Sequence, residues 1–153
     1  MTIVHDIALM SGASVQRLED AVADMPQVEC PIRHIFAPGV YMREMKIPKG
    51  TVAVGAVHKT EHVSIISGHC FVTTDDGVQE FEGYATVMSK AGAKRAAYAV
   101  EDTLFTTIHP TNETDLDKLC ELLTFSKSDE LLGGTNNRQL LANKKESPCL
   151  GES

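Results

Sequence analysis

Five consecutive residues, His58-Lys59-Thr60-Glu61-His62, hold the densest group of metal-ligating side chains in the chain. Two imidazoles and a carboxylate can bind iron, manganese, nickel or zinc and leave coordination positions open. Such groups converge only on a concave wall, and the mouth of a small β-barrel provides one. The strand period limits the arrangement. In a regular strand starting near His62, Glu61, Val63 and Ile65 face one way, and His62, Ser64 and Ile66 face the other. Glu61 and His62 point inward together only if the backbone bends or bulges between them. His58, Glu61 and His62 are therefore the candidate ligands for a divalent transition metal, with one of the last two open to being solvated.

The elements around this cluster are mostly strands. From Gly39 onward, short runs rich in Val, Ile, Thr, Phe and Tyr alternate with turn residues. The runs are Val40–Ile47, Thr51–Val57, His62–Ser67, Cys70–Thr74, Val78–Glu82, Ala85–Ser89, Lys94–Val100 and Thr103–His109. Asp76-Gly77 is a strong hairpin signal, because the turn that matches strand twist needs residues tolerant of positive φ. Many short strands with no helix between them predict an antiparallel sandwich or barrel.

Helices are expected on either side. Ser14 is placed to cap a helix over 14–25, with Val15, Leu18, Val22 and Met25 on one stripe and Pro26 as its stop. Residues 27–38, with Pro31 and Pro38, read as an irregular connection. Thr114 and Asp117 resemble a capping box for a helix over 114–124. Leu116, Leu119, Cys120 and Leu123 form its apolar stripe, which suits packing on the barrel exterior.

The expected organisation is an N-terminal helix and connection (1–36), a barrel (37–110), a C-terminal helix (111–124) and an extended tail (125–153). The tail is mostly polar and carries two leucine pairs, Leu131-Leu132 and Leu140-Leu141. These two apolar pairs suit docking on a partner or folding back on the barrel.

Composition narrows the functions. The chain has 153 residues and a net charge of -7, without a basic patch interleaved with aromatics, which argues against nucleic acid or an anionic membrane as partner. The N-terminus lacks the pattern of a signal peptide, and no apolar run approaches the roughly 18 residues of a membrane span. Cys30, Cys70, Cys120 and Cys149 show no C-x-x-C pairing and read as free thiols of a reducing compartment. No nucleophile elbow, P-loop or dinucleotide fingerprint is present.

The glycine framework resembles the cupin family over about half the chain. The first cupin motif is Gly, five residues, H-x-H, three or four residues, Glu, six residues, Gly. Here Glu61 and Gly68 keep the six-residue gap, His58 lies near the second histidine's position, and Ala56 stands where the first would be. The second motif is Gly, five residues, P-x-G, two residues, His, three residues, Asn. Gly83 and Gly92 are recognisable with one residue too many between them, while Lys90, Arg95 and Ala99 replace the proline, histidine and asparagine. The turn glycines are kept better than the metal ligands.

The resemblance implies a mainly β fold: a cupin-type antiparallel barrel, or jelly roll, with flanking helices and an extended tail. It also implies a homo-oligomer paired through barrel edges. The segments GAVHKTEHVSIISG, AGAKRAAYAVEDTLFTTIHPTNETD and DELLGG…NRQLLAN are similar to small cupin-like proteins of bacteriophages and prophages. That implies a phage source, with the protein in the host cytoplasm or the virion and another phage protein as a partner.

Arg95, at the missing histidine's position, would put a cation in the cavity and favour a carboxylate or phosphate there. Alternatively it pairs with Glu61 or another carboxylate, or faces solvent. Tyr98 and His109 are candidates to line the same cavity, His109 as a packed, hydrogen-bonded residue or as a ligand. The leading expectation is a non-catalytic or weakly catalytic barrel that serves as a structural or small-ligand-binding module. The alternative is a metal-dependent isomerase or oxygenase acting on a small anion, with His58, Glu61 and His62 as ligands and Arg95 as substrate anchor.

Overall fold

The computed structural model describes residues 12–125. The tail leucines Leu131, Leu132, Leu140 and Leu141, and Cys149, lie outside the described residues. In chain order the elements are α1 (Gly12–Ala23), β1 (Ile32–Ala37), β2 (Val40–Ile47), β3 (Val52–Val54), β4 (His62–Thr74), β5 (Gly77–Ser89), β6 (Ala96–Ala99), β7 (Thr103–Pro110) and α2 (Leu116–Leu123). The strands form one curled antiparallel sheet in the order β1-β2-β7-β4-β6-β3, with β5 on the other edge of β4. The fold is mainly β, one curled antiparallel sheet with a helix at either end.

The curl is produced in β4. Its first half, Val63–Ser67, pairs with β7, and its second half, Cys70–Val72, pairs with β6. The handover falls at Gly68, whose φ of +141° few side chains tolerate. A Cβ there would lie 2.6 Å from Thr103 Oγ1 and 2.7 Å from the Asp102 carbonyl oxygen. Gly68 is paired with Gly83 of β5, so the whole hairpin bends at one cross-strand glycine pair. The turns expected at Ser67-Gly68 and Gly83 are therefore bends within two continuous strands. Glycine freedom serves a corner there, and the ladder runs unbroken from Thr74↔Gly77 to His62↔Ser89. The hairpin turn expected at Asp76-Gly77 is present, with φ +100° at Gly77.

The sheet begins at Ile32, ahead of the expected barrel boundary at 37. Residues 32–37, expected to be irregular, pair with β2 from Ile32↔Met45 to Ala37↔Val40. The flanking prolines end this strand without interrupting it. Lys46 N–H donates to the Pro31 carbonyl at 2.9 Å, and Gly39 turns the chain with φ +76°.

Helix α1 lays Val15, Leu18 and Val22 against Val52, Val54, Ala96 and Tyr98. Ser14, the expected cap, lies inside this helix, and Met25 falls beyond its end, 47% exposed. On the opposite face of the sheet, Ile47, Ile66, Cys70, Val72, Ala97 and Ala99 form the barrel core.

Helix α2 starts one residue later than expected. Asp115, and not Thr114, is its cap, accepting from Asp117 N–H and Lys118 N–H at 3.0 Å each. Nor does it lie on the exterior. Leu119 and Leu123 pack on Tyr41, and the chain after the helix is stitched to the β3–β4 loop. Lys59 N–H donates to the Leu123 carbonyl at 2.8 Å, and Phe125 N–H donates to the Val57 carbonyl at 3.0 Å. The helix thereby closes the barrel mouth. Cys30, Cys70 and Cys120 are buried free thiols.

Candidate ligand site in the barrel

The inward side chains of β2 are Tyr41, Arg43, Met45 and Ile47, all on the wall of an internal cavity of about 130 Å³. The strand registers arrange the floor in rows. One row carries Arg43, Thr107 and Ser64 on β2, β7 and β4. On one side lies an aromatic and imidazole row that includes Tyr41 and His109, with His62 on β4. On the other side lies an apolar row with Met45, Phe105 and Ile66. Leu119 and Leu123 of α2 form the roof over part of this floor.

Three imidazoles meet at the mouth. Ring centroids of His58 and His62 are 4.3 Å apart, those of His62 and His109 4.8 Å, and those of His58 and His109 5.5 Å. Burial is the main reason that all three are held neutral. It drives His58 down to about 3 and His109 to about 4, with smaller contributions from His62 and Arg43, and it also lowers His62. The Nδ1 of His62 lies 3.1 Å from the Thr60 carbonyl oxygen, which makes Nδ1 the protonated nitrogen. His109 is 2% exposed, and its buried Nδ1 has no hydrogen-bond partner. Further along the same wall, His34 Nδ1 and the Tyr41 hydroxyl are 2.7 Å apart.

The expected site residues divide as follows. His58, His62 and His109 come together, but His109, expected to line the cavity, touches the other two rings without reaching the cavity wall. Glu61 does not join them: it is exposed and precedes the first residue of β4, on the side away from His62. The alternation rule left one of the pair outside, and the apolar interior selects the imidazole because a carboxylate costs more to desolvate. Arg95 lines the cavity and does not pair with Glu61. Its Nε donates to Ser89 Oγ at 3.1 Å and its Nη1 to the Thr73 carbonyl at 2.9 Å. Tyr98 is a correction. It packs against α1 with Ala96 and does not line the cavity. Lys94 is paired with Glu19 of α1.

Arg43 and His34 were missed. Each has a signal in the sequence: it keeps step with inward apolar residues of its strand, Arg43 with Met45 and Ile47, His34 with Ile32. Arg43 makes no hydrogen bond or ion pair among the described residues, and its Nη2 is buried without a partner. Desolvation lowers its pKa, and the ionisable groups beside it, Tyr41, Cys30 and Cys120, are neutral at neutral pH.

The fit of a metal divides between chemistry and geometry. Neutral imidazoles are good ligands, and a backbone partner on one nitrogen is the usual orienting device. The geometry does not fit: the ring nitrogens of His58, His62 and His109 do not all lie within 4.8 Å of one another. Among the described residues, the three potential ligand groups that meet within 4.8 Å are instead His69, Glu80 and Glu82, on the outer face of the β4–β5 hairpin. There His69 Nε2 already pairs with Glu80 Oε1 at 2.7 Å.

The sequence matches no protein-family model and no curated protein. Among solved structures, the chain is similar to ectoine synthase from P. lautus, with 14% identity, a TM-score of 0.48, and coverage of 72% of this chain and 85% of that one. It is similar to an uncharacterized conserved protein with a double-stranded β-helix domain from Klebsiella pneumoniae, with 14% identity, a TM-score of 0.47, and coverage of 63% and 90%. A cupin domain from Bordetella pertussis gives 15% identity, a TM-score of 0.45, and coverage of 57% and 98%.

Proposed function

We propose that this barrel is a small-ligand-binding module. The observation that carries the reading is the cavity on the inner face of the sheet. Its floor combines an apolar row with polar groups, Arg43 Nη2 and Ser64 Oγ, that are buried and have no partner in the protein. Buried polar groups are nearly always satisfied, and leaving one unmet costs about 1–3 kcal/mol. A ligand that enters the cavity supplies the missing partner. The test is native mass spectrometry of full-length protein purified without an affinity tag, followed by denaturation and analysis of released small molecules. An organic ligand released at near one per chain supports the reading. A protein that carries nothing, and whose melting temperature moves with no member of a small-metabolite panel, ends it.

The second reading is a metal-dependent isomerase or oxygenase; the chemistry of the three neutral imidazoles of His58, His62 and His109 supports it, and their placement does not. Its ligand set differs from the expected one, because Glu61 is outside. Near-stoichiometric iron, manganese, nickel or zinc in untagged protein would favour it over the first reading.

Self-association is part of the proposal. What supports it is a row of apolar side chains in register across five strands on the outer face: Ile35, Met42, Ile108, Val63 and Met88. Met88 is 60% exposed. Light scattering that gives the mass of a single chain at micromolar concentration would remove this part. We further propose a phage source with a virion or host-cytoplasm setting, for which the resemblance of the quoted segments is the support, and docking of the tail on a partner, for which the apolar pairs Leu131-Leu132 and Leu140-Leu141 are the support.

A further inference from the structure

We propose that Arg43 anchors the carboxylate of a small monocarboxylic acid whose apolar body fills the barrel cavity; this rests on the ligand-binding reading and names the ligand class. A guanidinium away from bulk water is costly unless an anion or several acceptors meet it. Arg43 has neither. It makes no hydrogen bond or ion pair among the described residues, and Nη2 is buried and unpartnered. No Asp or Glu lines the cavity, although the chain as a whole is acidic at -7. An arginine kept in phase with Met45 and Ile47, on the inner face of a strand that could carry a leucine there, is suited to meeting something from outside.

The other cavity arginine is less available. Arg95 already spends Nε on Ser89 Oγ and Nη1 on the Thr73 carbonyl, so the anchor expected at Arg95 belongs to Arg43. Ser64 Oγ, another buried donor without a partner in the protein, lies in the same cross-strand row with Thr107 between them. Two donors match the two oxygens of a carboxylate. A phosphate, with three oxygens and up to two charges, would leave acceptors unmet against the apolar neighbours Met45 and Phe105. Size limits the body. A cavity of about 130 Å³ is close to the roughly 150 Å³ that an engineered benzene site provides, so the body is a ring or a short branched chain.

The test uses the full-length chain, with calorimetric titration of benzoate, benzamide and phenyl phosphate at neutral pH. Benzoate is expected to bind about ten- to hundredfold more tightly than benzamide, the range for one charge-assisted contact. In Arg43→Met that preference is expected to vanish, while the ligand-free protein melts at or above the wild-type temperature, because a buried unpaired charge has been removed. Arg43→Lys keeps the charge without the planar fork and should bind benzoate at an intermediate level. Equal binding of benzoate and benzamide would overturn the proposal and leave the ligand-binding reading standing. Tighter binding of phenyl phosphate than of benzoate would overturn it in favour of a phosphate ligand. A fall in the melting temperature of ligand-free Arg43→Met would make Arg43 a structural brace and overturn it too. Binding of none of the three probes would end the proposal, while release of a different organic ligand from the purified protein would still uphold the wider reading.

Discussion

Gly68 stands directly opposite Gly83 in the β4–β5 ladder, and the sheet turns its corner at that pair. At Gly68 both obstacles to a side chain apply, the positive φ and the close approach of Thr103 and Asp102. Gly68→Ala is expected to destabilise the fold by about 3 kcal/mol, from overpacking and backbone strain together. Gly39, with φ +76° but nothing within 4 Å of an added Cβ, provides the control. Gly39→Ala should cost only about 1–2 kcal/mol, the penalty for the left-handed conformation. Urea denaturation of the two variants checks the difference.

The buried imidazoles make stability depend on pH. His109 titrates near 4 in the folded protein and near 6.5 when unfolded. Between those values the unfolded chain holds a proton that the folded chain does not. The contribution is therefore complete above about pH 6.5 and is lost as the pH falls toward 4, up to on the order of 3 kcal/mol. His58, lowered to about 3, adds to the loss in the same direction. Denaturation midpoints measured from pH 4 to 8 should fall steadily below pH 6.5. In His109→Gln the slope over that window should be shallower by up to about 1.4 kcal/mol per pH unit.

The cap of α2 separates two neighbouring residues. Asp115→Ala removes the acceptor for two backbone N–H groups and should cost about 1 kcal/mol. Thr114→Ala should change stability by less than about 0.5 kcal/mol, as surface substitutions do. Because α2 roofs the cavity, Asp115→Ala should also speed amide exchange at Leu119 and Leu123. Equal effects of the two substitutions would return the cap to Thr114.

Glu61 and His62 are adjacent in sequence and opposite in fate. Glu61→Gln should leave stability within about 0.5 kcal/mol of wild type and any bound ligand or metal in place. His62→Ala, at a side chain 6% exposed and in contact with two other rings, should cost roughly 2 kcal/mol or more. Retention of metal by wild type and its loss in Glu61→Gln would contradict the outward placement of Glu61.

Local chemistry in the sequence determined most strand positions, the Asp76-Gly77 hairpin, the Val15, Leu18 and Val22 stripe of α1 and the rule that only one of Glu61 and His62 faces in. Strand parity and turn preference are properties of a few adjacent residues, so they are legible without the fold. Strand β1 was hidden by Pro31 and Pro38, because a proline at a strand end looks the same in sequence as one within a loop. The corner glycines were read as turns for a similar reason: a positive φ serves a reversal and a bend equally, and only pairing to β7 and then β6 shows which. The histidine trio was half visible. His58 and His62 are neighbours in sequence, but His109 joins them only through the β4–β7 pairing, and His34 and Tyr41 only through β1–β2–β7. Tyr98 was misplaced because which face of β6 meets the cavity depends on where α1 packs. The largest difference lies at Arg43. Its identity and inward phase are in the sequence, but its lack of a counter-charge is decided by which side chains from four other elements surround it, and that only the tertiary structure settles.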